Sequence, residues 1–146
     1  MKPGAGEQPL RVFCVDDSAL VADSVRRRLE SEPTLAWTGC TADGGAVIER
    51  VRELKPDVVL MDIDMPGVDT FGLVERLSIE APDTRVVMLS GHAHRSFIER
   101  ALDCGAWGYL SKNDDAATLM EGIRRVGRGE IALSEEVRTI HRNASP

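Results

Sequence analysis

Apolar residues recur along this chain in two rhythms. Short solid runs occur at Leu10–Val15, Val58-Val59-Leu60-Met61 and residues 84–89, and each is followed at once by a polar side chain. Runs of this kind, bounded by turn residues, are the mark of strands buried on both faces. Residues 106–111 read as a further strand, and Leu35–Thr41 as a shorter, more polar one nearer a sheet edge. Between the runs the spacing changes to that of a helix: Val21, Val25 and Leu29; Val47, Val51 and Leu54; Phe71, Val74 and Leu77; Ile98, Ala101 and Leu102; Leu119, Ile123 and Val126. Asp17 or Ser18 and Asp115 stand where helices need N-caps, and Asp43-Gly44-Gly45 turns the chain into another helix. Pro33, Pro56, Pro82, Gly105 and Gly127 stand where helices must stop.

Five strands alternating with five helices specify an α/β fold, a doubly wound parallel sheet with helices on both faces. Residues 1–9 read as a flexible polar tail and 10–129 as one domain. Residues 130–146, including Ile131, Ala132, Leu133 and Ser134, read as a linker or a short extra helix. The 146 residues suffice for one domain with its own core.

Charge narrows the function. A net charge of −6 argues against direct nucleic-acid binding by this chain. No apolar run nears the roughly 18 residues that cross a bilayer, and the N-terminus lacks the features of a signal peptide. The 3 cysteines, Cys14, Cys40 and Cys104, show no paired spacing. With Cys14 inside an apolar run, they suggest a reducing cytoplasm.

The chemistry lies at the strand ends. In a parallel sheet all carboxyl ends share one edge, where open α/β sheets bind ligands. Asp16-Asp17, Asp62, Ser90 and Lys112 each follow a strand directly, so they converge there. Clustered carboxylates repel unless a cation intervenes, and hard oxygen ligands suit Mg²⁺. A cation, Lys112 and the Ser90 hydroxyl around one Asp are what an arriving phosphoryl group requires. The plain alternative is an ion-paired sheet edge.

The ordered set Asp16-Asp17, Asp62 followed by Met65-Pro66-Gly67, Ser90, and Tyr109 three positions before Lys112 resembles the receiver domain of two-component response regulators. The resemblance runs from about Leu10 to Gly129. It implies a flavodoxin-like sheet of five strands in the order 2-1-3-4-5. It also implies that Asp62 is phosphorylated by a sensor histidine kinase or phosphotransfer protein, with Mg²⁺ or Mn²⁺ as cofactor. Asp16, Asp17, Asp62 and the backbone carbonyl of Asp64 would serve the metal, and Ser90 and Lys112 the phosphoryl oxygens. Ser90 and Tyr109 would form the switch, Tyr109 swinging inward to alter the face made by the fourth helix, fifth strand and fifth helix. An ordinary half-exposed strand aromatic is the alternative for Tyr109. Residues 105–112 and Ala132-Leu133-Ser134 look most like the NarL/FixJ subfamily, so a homodimer, a downstream protein partner or a DNA-binding output domain absent from this chain are the expected associates.

Two other classes are weighed. Asp62-Ile63-Asp64 also fits the nucleophile and general acid of haloacid-dehalogenase-type phosphatases, although the chain leaves little room for a substrate cap. A phosphorylation-independent interaction module is the third. His92 and Asp64 are expected near the mouth of the site, controlling water access. The loop Val68-Asp69-Thr70-Phe71-Gly72 looks longer than the family turn, with Phe71 shielding the site or touching a partner.

Overall fold

The computed structural model describes residues 8–143, so most of the expected N-terminal tail lies outside the described residues. The elements alternate as β1 (Leu10–Val15), α1 (Ala19–Glu30), β2 (Leu35–Thr41), α2 (Val47–Leu54), β3 (Val58–Asp62), α3 (Thr70–Glu80), β4 (Arg85–Ser90), α4 (Arg95–Asp103), β5 (Gly108–Ser111), α5 (Ala116–Gly127), β6 (Ala132–Leu133) and α6 (Glu135–Asn143). All strand pairs are parallel, in the order β2-β1-β3-β4-β5-β6. The expected order of five is present, and a sixth strand extends it.

Each central strand divides its side chains between two cores because its residues alternate across the sheet. Phe13, Val15, Val59, Met61, Val86, Met88 and Tyr109 join the core beneath α2, α3 and α4. Val12, Val58, Leu60, Val87, Leu89 and Leu110 join the core that holds Val25 and Leu29 of α1 and Leu119, Ile123 and Val126 of α5. This is why β3, Val-Val-Leu-Met-Asp, is apolar without alternation: both of its faces are covered.

Three helices begin where side-chain caps hold them. Ser18 Oγ accepts from Val21 N at 3.3 Å, Asp69 Oδ1 from Gly72 N at 3.0 Å, and Asp115 Oδ1 from Thr118 N at 2.8 Å. The Asp69 cap corrects the expectation of a long loop after β3. Thr70, Phe71 and Gly72 are the first turn of α3, so the connection ends at Asp69. Nor does Phe71 shield the site from outside. It is buried, its ring centroid 5.9 Å from that of Phe97 and beneath the Arg100 guanidinium at 4.4 Å.

The C-terminal stretch does more than link. Ala132 N donates to Trp107 O at 3.0 Å, which seats β6 beside β5. Ser134 is buried and its Oγ accepts from Val137 N, and α6 then lays Val137, fully buried, into the core shared with α4. Two apolar residues carry too little pattern to mark a strand.

Candidate functional site

Register brings the strand ends together. Val15 pairs with Met61, which puts Asp16 beside Asp62; Asp62 pairs with Leu89; Ser90 pairs with Ser111, and Lys112 N donates to Ser90 O at 2.8 Å. Carboxylate oxygens of Asp16, Asp17 and Asp62 lie within 4.8 Å of one another. Lys112 Nζ stands 3.1 Å from Asp62 Oδ1 and 3.7 Å from Asp16 Oδ2. All the expected strand-end residues therefore reach one edge, and the cation reaches two of the three acids.

The three acids differ in setting. Asp62 is 2% exposed and Asp16 4%, whereas Asp17 faces solvent. Asp62 Oδ1 also accepts from Asp64 N at 3.0 Å, a turn contact that fixes the carboxylate against the loop after β3. Asp16 Oδ1 accepts from Ser18 N at 2.8 Å, but Oδ2 is buried without a hydrogen bond. Burial pushes the Asp16 pKa up, and the negative charges of Asp62 and Asp17 add to this against the opposing pull of Ser18 N–H and Lys112. An orphaned buried oxygen facing two like charges is an arrangement that a divalent cation relieves. The donor set, carboxylates with one acid open to solvent, fits Mg²⁺ or Mn²⁺.

Lys112 is held as a cation. Partial burial pulls its pKa down, but the hydrogen bond and charge of Asp62, with the charges of Asp16 and Asp64, outweigh this and leave it above the ordinary value.

Ser90 is in place but turned to its own loop. Its Oγ donates to His92 O at 2.6 Å and accepts from His92 N at 3.1 Å. His92 thus touches the site through its backbone, while both His92 and Asp64 are exposed at the mouth. Tyr109 is 0% exposed, so the half-exposed reading fails. The ring already lies inside, on the α4 side of the sheet. Burial raises the pKa of its hydroxyl, against a smaller pull from neighbouring Ser90, and the hydroxyl makes no hydrogen bond of good geometry.

One supporting residue escapes sequence reasoning, and a second is legible only in its role as a cap. Thr70 is buried and its Oγ1 donates to Ile63 O at 3.3 Å, tying the start of α3 to the residue after Asp62. Ser18 serves twice, its Oγ capping α1 and its N–H holding Asp16. The Asp-x-Ser spacing of an Asx turn is the available signal for the second of these roles.

Among known proteins, the response regulator receiver domain family matches residues 12–124. The transcriptional regulatory protein DegU of Brevibacillus brevis is 35% identical over 137 residues, covering 94% of this chain and 58% of that protein. The response regulator GacA of Pseudomonas viridiflava is 35% identical over 128 residues, covering 88% of this chain and 60% of its own length. A LuxR-family two-component response regulator from Aurantimonas sp. SI85-9A1 superimposes with a TM-score of 0.88 at 28% identity, covering 93% of this chain and 97% of that one. The chain thus spans about three fifths of the curated relatives it matches. No described helix is long and apolar enough to cross a membrane.

Proposed function

The chain belongs to the response regulator receiver domain family, and from that premise we propose that it is a phosphoacceptor switch taking a phosphoryl group onto Asp62 from a phosphohistidine donor. The observation that carries this reading is the pairing of a buried carboxylate with a cation at 3.1 Å inside a three-acid cluster.

Lys112 and Asp64 N–H both engage Oδ1 of Asp62, so Oδ2 is the oxygen left to attack phosphorus. As the Oδ2–P bond forms, the donor's N–P bond breaks and its electron pair returns to the imidazole. Asp16, Asp17, Asp62 and the carbonyl of Asp64 would hold Mg²⁺ or Mn²⁺, which when bound draws negative charge from the phosphoryl oxygens. Lys112 neutralises one of those oxygens directly. Ser90 supplies a donor once it leaves His92 O, and that departure frees the loop after β4. The acyl phosphate exceeds the carboxylate's charge by about one half to one unit, by analogy with other phosphorylated side chains, and this difference biases the Ser90–Tyr109 pair. The face altered is that of α4, β5 and α5. His92 and Asp64, at the mouth, set the access of hydrolytic water. A sensor kinase or phosphotransfer protein upstream, and a homodimer, protein partner or DNA-binding output domain downstream, complete the proposed pathway in the cytoplasm.

Acetyl phosphate with Mg²⁺, read by intact mass, tests the proposal. The wild type should gain one phosphoryl group and Asp62→Asn none. Continuous phosphate ester turnover would instead make Asp64 a general acid and the protein a phosphatase. Absence of both adduct and turnover would leave an interaction module.

A further inference from the structure

The first two strands hold a pair of thiols that the phosphoryl chemistry does not use. Cys14 pairs in register with Cys40. Their side chains share a face because of an irregularity between the strands: Val12 pairs with Trp37 but Phe13 with Gly39, so Thr38 is an extra residue. Thr38 Oγ1 donates to Val12 O at 3.0 Å, and Gly39 takes φ 141°, a conformation that favours glycine. Val12 and Trp37 both pack in the core under α1 and α5. Phe13 and Gly39 are then on the other face, and Cys14 and Cys40 return to the α1 face together.

Neighbouring strands lie about 4.8 Å apart, inside the roughly 4.4–6.8 Å between Cα atoms that a disulfide spans. Cys14 is 1% exposed and Cys40 is open to solvent. Buried Cys14 is no target for an oxidant from solution, whereas exposed Cys40 is accessible to one.

We propose that Cys14 and Cys40 are a modification site, closing to an intramolecular disulfide when the chain meets a peroxide. Hydrogen peroxide oxidises the Cys40 thiol to a sulfenic acid and is itself reduced to water. The Cys14 sulfur then attacks the Cys40 sulfur; the S–S bond forms, the S–O bond breaks, and hydroxide leaves with the Cys14 proton as water. Asp16 N donates to Thr41 O at 3.1 Å, so the disulfide would close directly behind the strand ends that present Asp16 and Asp17. Its exposed half keeps the bond open to reduction by small thiols.

The test is a thiol census on the full chain, blind to whatever happens at Asp62. Cys104→Ser protein is treated with hydrogen peroxide, unfolded, alkylated and weighed. The expected result is loss of both alkylatable thiols, with a mass lower by two hydrogens and full recovery after dithiothreitol. Cys104→Ser/Cys40→Ser, altered further only at an exposed position, should keep its remaining thiol alkylatable under the same treatment. Retention of both thiols in the Cys104→Ser protein, or a linkage found only between two chains, would overturn the assignment.

Discussion

Removing the cation from the acid cluster gives the sharpest prediction. Lys112→Met keeps the length of the side chain and deletes the charge. At the observed 3.1 Å, two unit charges attract by about 5 kcal/mol at an effective dielectric near 20. Burial of the ammonium offsets part of that. Breaking a buried pair by deleting one partner costs about 3–5 kcal/mol in comparable cases. The Lys112 side chain is 26% exposed, which favours the lower end, about 3 kcal/mol. For a domain of this size that is a fall of roughly 9 °C in Tm. Mg²⁺ should reverse the loss selectively. A site filled to a hundred times its Kd adds about 2.7 kcal/mol, and the variant should gain more than wild type because its acids have lost the ammonium that pairs with Asp16 and Asp62. Urea denaturation of both proteins, with and without Mg²⁺, measures this. The pH dependence gives a second check. The Lys112 pKa is raised in the folded chain, so its stabilisation is fully present below the ordinary value of 10.5 and is lost as pH climbs through the native one. From neutral pH the gap between wild type and variant should stay level up to about 10.5 and close as pH rises further towards the native value. A loss under about 1 kcal/mol, or equal Mg²⁺ gains in both proteins, would refute the electrostatic role assigned to Lys112.

Three further outcomes are expected. Asp16 has a raised native pKa, so the folded chain holds that proton to higher pH than the unfolded chain, and metal-free stability falls as pH rises from the ordinary 3.8 through the native value. Asp16→Asn should remove that part of the slope in denaturation series run across the acid range, and it should weaken Mg²⁺ binding by calorimetry. Tyr109→Phe, which deletes a buried hydroxyl without a partner, should change stability by about 1 kcal/mol or less, with stabilisation the expected sign. Tyr109→Ala should cost about 3–5 kcal/mol in the same urea titration through the cavity it leaves. Val137→Ala tests the seat of α6 on the core: a loss of about 2 kcal/mol is expected for a fully buried valine. Unchanged stability would mean that α6 stands apart from the domain.

Most of this architecture is written locally. The solid run Val58-Val59-Leu60-Met61 announces a two-sided strand because both cores draw on it. Ser18, Asp43 and Asp115 mark helix starts because the orphan N–H groups there need a nearby acceptor. The strand-end position of Asp16, Asp17, Asp62, Ser90 and Lys112 is legible for the same reason, since parallel strands share their carboxyl edge. Asp69 is the exception: it caps α3 through Gly72 N, where the sequence reads as a longer loop.

What the chain order could not supply is distance and facing. β6 contains Ala132 and Leu133 alone, and its hydrogen bonds to β5 exist only once the sheet is assembled. The extra residue at Thr38 is invisible in the pattern of β2, yet it turns Cys40 to the side of Cys14. Tyr109 alternates like any strand residue, and α4 and α6 decide that it is buried rather than half-exposed. Lys112 could have met any of the three acids; the register of β3, β4 and β5 sets it 3.1 Å from Asp62. Propensity, capping and burial period act within a few residues and can be read in line, whereas the field on a carboxylate depends on charges that only the folded sheet brings near.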